Sequence, residues 1–361
     1  MIHLTNHQLF SLIFVFEIGS TTLFALGIDA DQAAWIVILI ALFISLMFIW
    51  IYTELQSAFP NKNYIEIIIT VLGKWLGLPL CFLYIFDLIW QVGRNLREFG
   101  ELIIITSLPE NPLWLIISIF MLVSLYGLMK GFNIMARASE IVMPIIVSFS
   151  ILIWILIYAS GYMDFKNLLP VLGGGIKSIL TSLPSILYFP FGEVYIFLMY
   201  WKYSNEKNLI RKTTIKSVFY SGILICISSM IIISVLGVKY TSISSIPLME
   251  VIRLININNI LSNIDSIGMI LIFLGGFFKM SIFLNALVLV LATLLKIKNY
   301  KPLLILVCIF MVYFSIVFEP NFIYHQSIFP FDTKYFGILY SNFYPIIIFI
   351  IYKIKKHRMA F

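Results

Sequence analysis

The sequence predicts an all-α integral membrane fold, with ten transmembrane helices in two halves of five and the first and sixth helices broken. Three observations carry this. Of 361 residues, 61% are hydrophobic and only 11% charged, whereas about a quarter of a soluble domain's residues are charged. Apolar runs of about 20 residues, the length that crosses a bilayer, recur from end to end. Two of these runs, five spans apart, carry Gly, Pro, hydroxyl and carboxylate residues where hydrocarbon would surround them.

The spans are expected at 8–28, 33–57, 77–106, 112–128, 137–160, 179–201, 213–236, 263–294, 302–318 and 336–353. No connecting segment is large and polar enough for a separate soluble domain. Residues 1–361 therefore read as one transmembrane domain, with a first repeat at about 8–160 and a second at about 179–353. The start, "MIHLTNHQ", lacks the basic region of a signal peptide, so the first span is expected to be retained. The third and eighth spans exceed a perpendicular crossing and are expected to tilt or protrude. "PNKNYIEIIITVLGKWLG" (60–77) and "IPLMEVIRLININNI" (246–260) mix apolar with charged residues at helical spacing, as surface-lying helices do.

Charge sets the orientation. With the N-terminus cytoplasmic, the inside loops hold the 202–216 cluster, Lys296, Lys298, Lys301 and the basic tail from Lys353. The outside loops hold only Lys166, Lys177, Lys239, Arg253 and Lys334. The positive-inside rule then places both termini in the cytoplasm. The net charge of +7 is topological and implies no nucleic acid. Cys81, Cys226 and Cys308 lie within apolar runs and read as small hydrophobes, and the four histidines are scattered, so no metal or other cofactor is expected. The loops carry no nucleophile motif, spaced metal ligands or phosphate-binding glycine loop, so an enzyme is not expected.

The first break is "FEIGSTTLFALG" (16–27), where Glu17, Gly19, Ser20, Thr21 and Thr22 interrupt an apolar helix. The second is "SILYFPFGEVYIFLMYW" (185–201), centred on Pro190, Gly192 and Glu193. A helix breaks at membrane depth where its freed backbone groups line a polar cavity, and paired breaks point to a ligand site between two inverted repeats. Freed N–H groups hold a carboxylate, while carbonyls or an acidic side chain hold an ammonium. A zwitterionic amino acid presents both. A kink satisfied by neighbouring helices is the alternative. The third span carries Asp87, Gln91, Arg94, Arg97, Glu98 and Glu101. The outer three of these read as a structural ion-pair network, and Asp87 and Gln91 as cavity-lining. Lys279, after Gly275 and Gly276, needs an anion, and Glu17 and Glu193 are the candidates. Either a functional charge or an inert helix lock fits it.

These segments resemble the B subunit of bacterial spore germinant receptors, a branch of the amino acid–polyamine–organocation superfamily. The matching stretches run in order along nearly the whole chain. They are "QLFSLIFVFEIGSTTLF", "DQAAWI", "FPNKNYIEI", "VLGKWLG", "LREFGELIIITSLPENP", "YGLMKGFNIMARASEIVMP", "NLLPVLGGGIKSIL", "YFPFGEVYIFLMYW" and "IPLMEVIRLININNILSNID". "GFNIMARASEIVMP" and "NLLPVLGGGIKSIL" are the most specific, being loop signatures. Two positions depart from the pattern: Asn111-Pro112 stands for Thr-Pro before the fourth span, and Leu26-Gly27 replaces a Pro after the first break. The resemblance implies a LeuT-like 5+5 inverted repeat in the inner membrane of an endospore. It also implies an A subunit and a lipoprotein C subunit as partners, and a small nutrient germinant as ligand.

On that reading Gly19, Ser20, Thr21 and Thr22 supply donors to a carboxylate. Tyr188, Phe189, Phe191 and Gly192 wall the cavity with Gln91, Glu17 or Glu193 balances an ammonium or Lys279, and Phe278 and Phe283 close a side-chain pocket. A secondary amino acid transporter coupled to protons or sodium shares these features. A purely structural subunit with a vestigial cavity is a third possibility.

Overall fold

The computed structural model describes residues 3–255 and 265–359. The chain is helical throughout these residues: α1 (Asn6–Ile18), α2 (Ala34–Ala58), α3 (Tyr64–Thr106), α4 (Leu113–Lys130), α5 (Phe132–Ala159), α6 (Gly175–Tyr188), α7 (Ile210–Ile243), α8 (Pro247–Arg253), α9 (Asp265–Leu295), α10 (Lys301–Val317), α11 (Phe322–Phe331) and α12 (Tyr344–Met359). Side-chain caps start the key ones. Thr5 and Gln8 form a reciprocal capping box on α1, and Asn63 and Glu66 do so on α3.

The distribution of polarity is that of a multi-pass membrane protein. Phe82 and Phe86 on α3, Leu122 on α4, Ile141 and Ile155 on α5, and Leu306 and Ile309 on α10 are exposed, while Glu17, Asp87, Glu193 and Lys279 are buried. A helix bundle with an apolar exterior and a charged centre is suited to an apolar surround such as a bilayer.

Among the described residues, seven helices are long and apolar enough to cross a bilayer, or eight if α10 and α11, bent by 97°, count as one span. The all-helical fold with broken first and sixth helices is as expected, while the count of ten spans is not exact. The first crossing is cut at Gly19, leaving a 13-residue α1. The last is a run of short segments, α11, two π-helical stretches (Asp332–Phe336 and Leu339–Phe343) and α12. The 60–77 stretch is helical from Tyr64 but separated from the rest of α3 at Gly73 (φ 77°), and its Ile65, Ile67, Ile68 and Val71 pack inward. α8 buries Leu248, Met249, Val251 and Ile252; the expected surface helix beyond residue 255 lies outside the described residues.

Both chain ends meet at one end of the bundle, the terminal end. Leu4 exchanges backbone hydrogen bonds with Tyr203 and Asn205, and Lys355 donates to the Val71 carbonyl. At the opposite, distal end, residues 24–29, 241–247 and 322–333 converge. α9 packs along α3 and α1, and residues 191–199, which follow α6, touch all three, so these elements surround the centre.

The closest approach there is made by glycine. A Cβ at Gly275 of α9 would fall 2.1 Å from the Gly19 carbonyl oxygen, and one at Gly276 would fall 2.1 Å from the Phe99 ring. Small residues at a helix contact permit such backbone proximity. Gly275→Ala therefore forces α9 away from the α1 break and is expected to cost about 1–3 kcal/mol, as overpacking does. Gly127→Ala, whose Cβ would meet the flexible Met135 side chain at 3.0 Å and the Phe277 ring at an ordinary 3.9 Å, leaves stability unchanged within about 0.5 kcal/mol. Thermal unfolding of the purified variants in detergent measures both.

Candidate functional site

Both expected breaks are present. α1 ends at Gly19 (φ 35°, ψ −120°), whose N–H closes the helix on the Val15 carbonyl, and a single 3-10 turn follows (Thr21–Leu23). α6 ends at Tyr188; after an extended Phe189 and Pro190 the chain resumes as a tight 3-10 helix, Phe191–Met199.

Side chains repair the freed carbonyls. Thr21 donates its hydroxyl to the Glu17 carbonyl at 2.6 Å. Asn342, on the second π-helical stretch of the last span, donates to the Leu187 carbonyl at 3.2 Å. Tyr52 fixes that stretch by donating to the Ser341 carbonyl (3.0 Å) and Asn342 Oδ1 (3.2 Å). Gly192 is required beside it, because a Cβ there would meet the Leu187 carbonyl and the Ser341 and Asn342 side chains at 2.6–3.0 Å. Two expectations change as a result. The Gly19 N–H and the Thr21 hydroxyl are engaged with backbone, whereas the buried Ser20 hydroxyl has no protein partner.

Between the breaks lies Lys279, fully buried. Its Nζ pairs with Glu193 Oε2 at 2.5 Å and sits 4.1 Å from the Phe189 ring centroid and 5.6 Å from that of Phe16. Its aliphatic stem packs against Gly19, where a Cβ would come within 2.8 Å of Cδ. Glu17, also fully buried, has neither carboxylate oxygen hydrogen-bonded. The centre thus holds two carboxylates and one ammonium, with one carboxylate bare.

Other expected residues fall into separate groups. Phe283 packs on Phe16 (5.2 Å) and Phe278 on Phe277 (5.5 Å). Phe191 lies under Gly222 of α7. Gln91 donates to the Tyr188 hydroxyl, and Tyr195 donates to Asp87, forming a second polar cluster between α3 and helix 6, the broken span made of α6 and Phe191–Met199. Thr22 is buried at 8% exposure beyond the α1 break.

A cavity of about 270 Å³ opens at the distal end. It is lined by Phe24, Glu98, Ser182, Ser185, His325 and Phe329 among others, and by none of the candidate ligand residues. Phe329 stacks edge-on against Phe189 at 5.6 Å, so this aromatic pair stands between cavity and Lys279. Around the cavity mouth Arg94 bonds Glu319 (3.0 Å), Glu319 bonds His325 (2.5 Å), and Arg97 pairs with Glu101 (2.6 Å). Of the expected network of Arg97, Glu98 and Glu101, Arg97 and Glu101 pair within α3 while Glu98 lies 3.7 Å from His325; the partners Glu319, His325 and Asp332 escaped sequence reasoning. They lie more than 220 residues from Arg94, and no spacing rule links them.

Because Lys279 and Glu193 are buried together, removing one leaves the other uncompensated. Lys279→Met is expected to cost about 3–5 kcal/mol, and adding Glu193→Gln to recover most of it. Unfolding temperatures of the single and double variants test this.

The sequence profile of the family described as Spore germination protein matches residues 3–323. Spore germination protein KB of Bacillus subtilis (strain 168) is 32% identical, over 97% of this chain and 95% of its own length. Spore germination protein GerQB of Bacillus cereus is 28% identical over 49% of this chain and 51% of its own. Among solved structures, MhsT in complex with L-phenylalanine superposes with a TM-score of 0.61 over 96% of this chain and 87% of its own, at 13% identity. Mhp1, a nucleobase-cation-symport-1 family transporter in a closed conformation with bromovinylhydantoin bound, gives 0.62 over 86% and 71%, at 12% identity. At such identities the likeness is one of fold, and the fold is LeuT-like. The breadth of the profile match and the full-length likeness to protein KB settle the affiliation: the chain belongs to the spore germination protein family.

Proposed function

We propose that this protein is the nutrient-sensing membrane subunit of a spore germinant receptor, binding a small amino-containing germinant between the breaks of its first and sixth helices. The observation that carries the reading is the bare, fully buried Glu17 carboxylate beside the Lys279–Glu193 pair. An uncompensated carboxylate at membrane depth is expensive, and a ligand ammonium supplies what it lacks. Ser20, with its unpartnered hydroxyl, and Lys279 are the groups available to a ligand carboxylate. Phe16, Phe189 and Phe283 surround the same point with apolar surface. The distal cavity is the entry, and displacement of Phe189 from Phe329 opens the way inward. The segments 8–160 and 179–353 act as the two inverted repeats, one break in each.

In this role the subunit resides in the inner membrane of the endospore, with both termini on the core side and the cavity facing outward. It works with a receptor A subunit and a lipoprotein C subunit. A ligand that binds one conformer better shifts the population toward signalling. Secondary amino acid transport coupled to protons or sodium is the second reading. It is favoured by the LeuT-like fold shared with MhsT, whose structure holds L-phenylalanine, and with Mhp1.

Spores carrying Glu17→Gln, Glu193→Gln or Gly19→Leu as their sole receptor variant test the assignment, with subunit abundance checked by immunoblot. Glu17→Gln leaves abundance unchanged, since its carboxylate has no bond to lose, yet is expected to raise the half-maximal nutrient concentration at least tenfold, about 1.4 kcal/mol of binding. An unchanged dose response in all three variants at normal abundance removes the site. Coupled uptake by the purified subunit alone in vesicles decides for the transporter.

A further inference from the structure

Asp87 has no part in the ligand assignment. It lies midway along the bilayer-crossing part of α3, on a stripe that runs Tyr84, Asp87, Gln91, Arg94, Glu98 at helical spacing. The side chain is 1% exposed and accepts a hydrogen bond from the Tyr195 hydroxyl of helix 6. No Lys, Arg or His among the described residues pairs with it. The titratable groups that surround it are Glu193, Tyr188 and Tyr195 on helix 6, Asp332, Tyr340 and Tyr344 on the last span, and Tyr64 and Tyr84 on α3. All are acids. Asp87 therefore differs from Glu193, which has Lys279.

Polar groups continue from Asp87 in both directions. Toward the distal end, Gln91 donates to Tyr188, and Asn95 donates to the Gln91 carbonyl at 2.8 Å. Arg94 lies 3.9 Å from Asp332 and 3.0 Å from Glu319. His325 reaches Glu319 at 2.5 Å and Glu98 at 3.7 Å, and both His325 and Glu98 line the open cavity. Toward the terminal end, the Tyr195, Tyr84 and Tyr64 rings meet edge-to-face at 5.7 and 5.3 Å. The Tyr84 and Tyr64 hydroxyls are buried without protein partners. Buried hydroxyls in that condition are where internal water binds.

We infer that Asp87 is a proton-binding site, loaded from the distal cavity along the polar face of α3 and separate from the Lys279–Glu193 centre. Binding transfers a proton from a hydronium ion to a carboxylate oxygen and leaves a water molecule; release is the reverse, with no other bond changed. The contacts favour a proton over an alkali metal ion. Tyr195 offers the carboxylate an O–H donor, whereas a hard cation wants several converging oxygen acceptors. A subunit so equipped couples its conformation to proton occupancy, whatever nutrient it senses.

The test needs no germinant, so its failure would leave the ligand reading intact, and the reverse holds too. The full-length protein, purified into lipid nanodiscs, is examined by infrared difference spectroscopy between acidic and alkaline buffer. Wild type is expected to show a carboxylic acid C=O band that grows on acidification. A component of that band is lost in Asp87→Asn and kept in Glu17→Gln and Glu193→Gln. Tyr195→Phe moves its midpoint to higher pH, because the carboxylate loses the donor that stabilises its ionised form. An undiminished band in Asp87→Asn overturns the proposal, as does its complete loss in Glu17→Gln instead. So does the absence of a difference band in the wild type, or a band that responds to sodium or potassium chloride at fixed pH but not to choline chloride. If Asp87→Asn does not purify as a monodisperse protein, Tyr195→Phe decides: an unmoved midpoint rejects the site.

Discussion

The ion pair between Lys279 of α9 and Glu193 of helix 6 is the constraint around which the centre is built. An ammonium inside a bilayer must have an anion at contact distance, and at 2.5 Å Glu193 supplies it. Glu193 can be delivered there only if helix 6 restarts after Pro190, and α9 can approach only because Gly275 and Gly276 carry no side chain. The approach in turn places the Lys279 stem against Gly19, so the end of α1 is fixed by the same pair. Three elements from distant parts of the sequence are held by one buried charge.

Breaking two helices exposes backbone groups in a medium with no water to satisfy them. The answers differ at the two sites. Thr21 reaches back to the Glu17 carbonyl within its own segment, a purely local repair. Asn342 crosses from the last span to the Leu187 carbonyl, and the π-helical winding of residues 339–343 accompanies that reach, as such windings do at functional positions. Apolar packing often stabilises a core as well as a buried ion pair does. Stability alone therefore does not account for a centre that retains a pair and adds a bare Glu17.

How much of this was legible in the sequence follows from range. The breaks were visible because Gly, Pro and Glu contradict their apolar neighbours within a few residues. The need of Lys279 for an acid was visible because a buried charge has so few solutions, although only packing distinguishes Glu193 from Glu17. The count of ten spans was less exact, since a hydropathy reading treats 302–353 as two crossings while the chain there bends by 97° and turns into π-helical stretches. Asn342, Phe16 and the Glu319–His325 pair were invisible. An Asn or a Phe in an apolar run has no local signature, and the partners of Arg94 are brought to it by tertiary folding alone.

The filling of the centre bears on how a ligand would act there. The space between the breaks is taken up by the Lys279 stem and the Phe16, Phe189 and Phe283 rings, whereas the open volume lies beyond Phe329 at the distal end. On the proposed reading, a nutrient cannot be added to this arrangement without moving something, and what moves is tied to backbone. Phe189 is the joint of helix 6, and Lys279 is braced on the end of α1. Ligand binding would thus be paid for by separating α9 from one or both broken helices. A close-packed interior has discrete alternative packings rather than a continuum. A centre of that kind suits a sensor, because occupancy selects between two discrete packings of the bundle. It suits a transporter only if the terminal end, where Leu4 is bonded to Tyr203 and Asn205, opens in the second packing.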